Sequence, residues 1–494
     1  MTRLLPEGAL RRTSAIAAAV LALAVAGCAD MGATASNPKM QTAESLGLTA
    51  APAAQAAPAL DSQWWLAFGD PQLNAMVDQA IAGNPSLQVA LARLARAQAS
   101  VTYTEAADKP QLNGGLDLTR QKFSDNYIYP RPLGGSVQES GNLQLSGSWE
   151  IDFFGKNRTA LDAALGTANA AAAEADAARV LLSSNVARSY VQWARLNDRM
   201  VVAQRALAQR EELLKLVRDR VSAGLDTRLQ LKQSESSVPE ARQQIEALNE
   251  QIAIAQHALD ALVAKPGATQ ALTPPRLGNF KNLALQQSIP ADLLGRRADI
   301  AAARWRVEAA TSDVANAKTQ FYPNVNLIAF AGFQSIGFDS LLKSGSQQWG
   351  VGPAIRLPIF EGGRLRANLR GKSADLDAAI DSYNVTVIDA VRDVADQLSS
   401  VLYVARQQVQ QKEAQDAAEA AYDIGLQRYS AGLGNYLDVL TAEVTVLAQR
   451  RDGVDLAARA LEDQVGLARA LGGGWQPSDT ITAASAAAPA PRNP

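Results

Sequence analysis

Between Gly141 and Gly155 the chain alternates: Leu143, Leu145, Gly147, Trp149, Ile151 and Phe153 share one face of an extended segment, and Gln144, Ser146, Ser148, Glu150 and Asp152 share the other. The pattern predicts a strand that is apolar on one side and wet on the other. Similar alternation predicts a strand before it, at about 110–123, and a second pair at about 323–333 and 348–359, against 141–153 for the first. In the last of these Trp349, Val351, Ile355, Leu357 and Ile359 oppose Gly350, Gly352, Ala354 and Arg356. The flanking segments carry a helical period and are rich in alanine. Two long helical patterns, Gly155 to Gly224 and Gly363 to Gly432, each cover about 70 residues. As a nearly continuous helix each would extend ~100 Å.

The order of parts occurs twice. A helical pattern (Asn84 to Ala107, then Ala298 to Ala317) leads to two alternating segments, a glycine-bearing turn, a long helix and a second turn. Phe154 and Arg158 match Phe360 and Arg364 at an offset of 206, and Arg220, Gly224, Leu229 and Glu235 match Arg428, Gly432, Leu437 and Glu443 at 208. This is the signature of an internal duplication. The predicted organisation is residues 1–27 as signal peptide, 28–60 as flexible tether, 61–270 as first repeat, 271–475 as second, and 476–494 as a disordered tail.

Strands of about ten residues are long enough to cross a bilayer at a tilt. Phe123, Trp149, Phe153, Phe330, Phe333, Trp349 and Phe360, read at or near strand ends, suit interfacial girdles. An open sheet in hydrocarbon leaves edge amides and carbonyls without partners, at a cost of several kcal/mol each. Four strands cannot close alone, so several chains must pool them. The competing reading is a soluble four-stranded sandwich, disfavoured by the glycines, serines and glutamines of the polar face.

Charge and cysteine narrow the class. Basic and acidic residues nearly balance, 47 against 49, which speaks against a nucleic-acid partner. Arg3, Arg11 and Arg12 precede an apolar run, Ser14 to Ala26, too short to span a bilayer permanently, and the run closes on Cys28, the only cysteine in the chain. Burial of that thiol as a small hydrophobe is the alternative.

The closing LAVAGC resembles a bacterial lipobox. WWLAFGDPQLNAMVDQAIAGNPSL (Trp64 to Leu87), SWEIDFFGKNR, IPADLLGRRADIAAARWRVEAA (Ile289 to Ala310), FYPNVNL, LPIFEGGR, YSAGLGNYLDVLTAE and ALGGGW (Ala470 to Trp475) follow in order. Together they resemble the TolC-type outer-membrane factors of tripartite efflux pumps, in the lipoprotein branch called NodT- or OprM-like. One departure is Ala298, where the family commonly has proline. The resemblance implies an α+β membrane protein: a homotrimer whose twelve strands, four per chain, form an outer-membrane β-barrel continued by a long periplasmic α-helical barrel. It implies a lipid on Cys28, delivery to the outer membrane, and a periplasmic adaptor (membrane fusion) protein and an inner-membrane RND transporter as partners. Adaptor hairpins would dock around Arg220, Gly224, Leu225, Arg428, Gly432 and Leu433. Asp438 would gate the tunnel end as a ring of three carboxylates, with Gln230 in its place in the first half. Ordinary glycine C-caps and a carboxylate complementing a helix N-terminus remain the plainer readings of these positions.

No catalytic residue, cofactor or metal site is expected. The one histidine, His257, and one cysteine cannot assemble a His/Cys metal set or a Cys-His pair. Gly371-Lys372-Ser373 imitates the end of a phosphate-binding loop, yet Arg366 stands where its first glycine belongs and no strand immediately precedes it. The expected role is a passive exit duct for drugs or other small molecules. The rivals are a type I secretion or metal-efflux outlet and a surface-anchored helical scaffold lipoprotein.

Overall fold

Local chemistry starts the first helix. Asp70 accepts from the amides of Gln72 (2.8 Å) and Leu73 (3.1 Å), and Pro71 occupies the first helical position, so the first helix begins where its free N–H groups find a carboxylate. In the computed structural model, which describes Met31 and residues 38–47, 60–283 and 293–476, helices α1 (Pro71–Gly83) and α2 (Pro85–Ala106) lead to strands β1 (Gln111–Lys122) and β2 (Val137–Glu150). Helices α3 (Lys156–Ser222) and α4 (Arg228–Val263) follow. The order then recurs: α5 (Leu293–Arg296), α6 (Ala298–Thr319), β3 (Asn324–Ile336), β4 (Gln347–Arg356), α7 (Arg364–Ser430) and α8 (Tyr436–Ala470). Both long helices, α3 and α7, are 67 residues.

The chain divides into two compact units: Met1–Met40, Ala95–Ala170 and Ala303–Tyr383, and Gln41–Leu94, Ala171–Ala302 and Asn384–Pro494. The first holds one antiparallel sheet in the order β1-β2-β3-β4. Val314, Ala317, Phe321, Leu365 and Leu369 form its helical core, with Met31 and Leu376 packed against them. Gly166 lets α3 and α6 meet closely, since a Cβ there would stand 3.0 Å from the Ala309 backbone. In the second unit Trp64, Trp65, Phe68, Leu73, Tyr190, Trp193 and Leu259 belong to one buried cluster. The Trp-Trp-Leu-Ala-Phe motif is a 3-10 turn that buries both indoles and the phenyl ring.

The strands differ from their expected bounds in ways that have causes. β2 starts at Val137 and stops at Glu150, because Asp152 turns from the ladder to accept from the amides of Lys156 (2.6 Å) and Arg158 (2.9 Å), capping α3. β4 stops at Arg356, just before Leu357 and Pro358, so Leu357 and Ile359 are not strand residues. Phe123, Phe153 and Phe360 likewise fall in connections. Phe330 is a further correction: it is mid-strand and on the polar face, three positions from Phe333 and therefore on the opposite side.

Part of the segment expected as a flexible tether is held. Residues Glu44–Leu46 form a 3-10 turn, and the Gln41 amide donates to Asn384 Oδ1 of α7 at 2.8 Å. Despite lacking proline, α6 begins at Ala298, where Arg297 bonds Asp299 (2.7 Å) and donates to the Ala470 carbonyl (3.0 Å). His257 is exposed on α4, and Gly371-Lys372-Ser373 lies within α7, where Lys372 pairs with Asp313 at 3.0 Å.

Candidate functional site

Register sorts the sheet into two faces. Leu143 stands between Leu116 and Phe333, and Leu145 between Gly114 and Ala331, which in turn faces Trp349. This face also carries Leu112, Leu118, Trp149, Leu327, Val351 and Ile355, in step with the same pairs. Trp349 is 79% exposed and Leu112 68%. A surface of this kind and size marks contact with a partner or with lipid. The other face carries Asn113, Asp117 and Thr119 of β1, Asn142, Gln144, Ser146 and Ser148 of β2, Asn326 and Gln334 of β3 and Gln348 of β4. Gln348 bonds Asn142 there at 3.0 Å.

The four strand ends that join helices, Gln111, Glu150, Asn324 and Arg356, lie together at one end of the sheet, and the two hairpin connections lie at the other. At the helix-linked end Glu150 pairs with Lys156 (2.9 Å), and Phe154 stacks on Tyr322 with ring centres 5.0 Å apart. Among the described residues, the outer edges of β1 and β4 have no strand partner.

In the second unit the two helix turns are built alike. Gly224 and Gly432 take φ of +72° and +75°, and the amides of Leu225 and Leu433 reach back to the carbonyls of Arg220 and Arg428, each at 2.8 Å. That six-residue closure is a Schellman turn, for which a Cβ-free residue is preferred. Each following helix opens with a capping box: Thr227 with Gln230 on α4, and Asn435 with Asp438 on α8. Leu225, Leu229, Leu433 and Leu437 are all exposed. Asp438 is exposed too, accepting from the Asn435 amide at 3.4 Å while its own amide donates to Asn435 Oδ1 at 2.9 Å.

The arginines part company. Arg428 is exposed and donates to the Leu433 carbonyl at 3.3 Å. Arg220 is largely enclosed: it bonds Asp226 at 2.8 Å, donates to the Tyr429 carbonyl at 3.0 Å, and lies 4.6 Å from the centre of the Tyr429 ring. The Tyr429 hydroxyl closes the circuit by donating to Asp226. Burial would push the Asp226 carboxyl up, but the bonds from Arg220 and Tyr429 outweigh it and hold it below the ordinary value. Burial, reinforced by the bond to Asp226, pushes the Tyr429 hydroxyl well up. Asp226 and Tyr429 were not expected to matter. Their signal was a mismatch between the two halves of the chain, since Gly434 and Val221 stand in the places corresponding at an offset of 208. Farther along, Arg210 bonds the buried Glu443 (2.6 Å) and the Ser237 carbonyl (2.9 Å), tying α3 and α4 to α8. Cys28 lies outside the described residues.

An exposed apolar sheet face, a hydrophilic opposite face, edges unpaired among the described residues and long antiparallel helical hairpins define the protomer of a membrane channel. The chain belongs to the outer membrane efflux protein family, which it matches over residues 76–265 and again over 289–473. It is 39% identical over 376 residues to the fusaric acid resistance protein FusA of Burkholderia cepacia, covering 74% of this chain and 70% of that one. It is 32% identical over 470 residues to the multidrug resistance outer membrane protein MdtQ of Escherichia coli O157:H7, covering 94% and 98%. The outer membrane protein VceC of Vibrio cholerae superposes with a TM-score of 0.79 at 35% identity, covering 83% of this chain and 98% of that one. The protein is an outer-membrane efflux channel.

Proposed function

We propose that three copies pool their strands into one twelve-stranded barrel whose apolar face meets lipid and whose hydrophilic face lines the exit of a tripartite pump. The carrying observation is the open four-stranded sheet with opposed apolar and polar faces and, among the described residues, both edges unpaired. In hydrocarbon those edges must be satisfied, and only closure satisfies them. Transported molecules are drugs or other small organic toxicants, in keeping with the names of FusA and MdtQ. An inner-membrane RND transporter supplies the energy through a periplasmic adaptor, which docks on the exposed leucines of the two turns. Native mass spectrometry in detergent tests the assembly: a monomer would defeat the proposal.

The lipid is carried by Cys28, three residues before Met31, which packs on the core of α6, α7 and Phe321. The Arg220-Asp226-Tyr429 circuit holds the two turns together and keeps the tunnel end closed. Asp438 adds one carboxylate per chain to that end. Asp438→Ala raises single-channel conductance in planar bilayers; unchanged conductance with unchanged block by multivalent cations removes Asp438 from the gate.

A further inference from the structure

Phe330 breaks the hydrophilic face of the sheet. It stands midway along β3, opposite Ser146 on one side and Gly350 on the other. Its ring leans across Gly350: a Cβ at that position would stand 2.7 Å from the ring Cε1. Gly352, the next residue of β4 on this face, has open space above it, and Ile328, 41% exposed, extends the apolar surface beside it. A ring, a branched side chain and bare backbone thus form a shallow apolar patch in a field of amides and hydroxyls. Away from the helix-linked end, the one ionised side chain on this face of the described strands is Asp117, opposite Asn142.

We propose that Phe330, Ile328, Gly350 and Gly352 form a contact site for planar aromatic cations passing through the barrel. The inference rests on the assignment of this face to the lumen. A lumen of amides and hydroxyls offers an aromatic solute little that water does not. An aromatic ring offers offset stacking and attraction for a cation over its face. The absence of a Cβ at Gly350 keeps the ring down on the sheet, and the open backbone of Gly352 leaves room for a flat molecule alongside. Asp117 adds negative charge toward the hairpin end of this face, away from Arg356 at the helix-linked end, which favours cations over anions there. A threefold barrel repeats the patch three times around its axis.

The test uses the full-length channel in planar bilayers, with ethidium as planar aromatic cation and tetrabutylammonium as non-aromatic cation, both added from the hairpin side. Wild type shows transient ethidium block. Phe330→Leu keeps an apolar side chain but shortens the ethidium dwell time about three- to ten-fold, the worth of a lost ring contact, and leaves tetrabutylammonium block unchanged. Phe330→Tyr retains the ethidium block, and Asp117→Asn weakens block by both cations. Equal ethidium dwell times in wild type and Phe330→Leu overturn the site, as does an equal loss for both probes, which would mark the ring as shaping the pore only. A wild-type protein that forms no channel overturns the lumen assignment itself.

Discussion

The two helical hairpins share a backbone but not an interior. Each has a Schellman turn at the same place, a capping box after it, and an arginine–glutamate pair at matching positions: Arg242 with Glu211, and Arg450 with Glu419. Arg242 is 64% exposed, whereas Arg450 is 4% exposed and also bonds Gln209 at 2.8 Å. Glu235 bonds Lys232 at the surface, while its counterpart Glu443 is buried against Arg210. Arg428 points to water and Arg220 is enclosed by Asp226 and Tyr429. Residues that match between the two halves make the same local hydrogen bonds. What lies across the helix decides whether a charge is ornamental or structural.

The largest test of this contrast is removal of each glutamate. Glu419→Ala strands Arg450 in a buried setting and is expected to cost about 3 kcal/mol, whereas Glu211→Ala costs about 0.5 kcal/mol or less. Denaturant unfolding of the solubilised protein compares them, and equal losses would dissolve the distinction. Next, Asp226→Asn removes the charge that Arg220 and Tyr429 share, at a cost of about 2 kcal/mol. It also raises single-channel conductance if that circuit keeps the tunnel end closed. Arg428→Ala, lacking a comparable partner, changes stability little.

The shared features predict equal effects. Gly224→Ala and Gly432→Ala each impose a left-handed backbone on a residue with a Cβ and lose about 1 kcal/mol. Thr227→Ala and Asn435→Ala each remove a helix cap, for about 1 kcal/mol or less. A gap between the members of either pair, read from melting curves, would show that the turns are not equivalent. Gln230→Ala serves as the uncharged control for Asp438→Ala: both weaken a capping box, so a conductance change confined to Asp438 reports its charge.

Acid provides the smallest and most distributed effect. The bond from Arg450 holds Glu419 below its ordinary 4.5, and Asp226 is likewise held below 3.8 once the bonds from Arg220 and Tyr429 overcome burial. The folded state therefore binds these protons more weakly than the unfolded state. The stability they contribute is complete above the ordinary carboxylate range and is lost as pH falls through the depressed values. Melting temperature against pH should fall below about 4.5 in wild type, and Glu419→Gln should flatten that fall; an unchanged slope would mean that other carboxylates dominate.

Much of this was legible in the chain. Alternation marked all four strands, because a two-faced sheet leaves a period of two whatever its neighbours are. Gly224 and Gly432 marked the turns, because only a residue without a Cβ takes that backbone freely. The ends of β2 and β4 were misplaced where a local competitor intervened: Asp152 serves a helix cap instead of the ladder, and Pro358 cannot donate to one. Phe330 was misplaced because residue type suggests lipid, whereas register, set by pairing with β2 and β4, turns it to the hydrophilic side. The latch of Asp226 and Tyr429 spans 203 residues of sequence. Patterns of neighbours along the chain determine strands, helices and turns, since their hydrogen bonds close locally or repeat regularly. Which charges are buried, and which ring lies on the hydrophilic face of the sheet, depends on groups brought together from distant parts of the chain, and only the tertiary fold decides that.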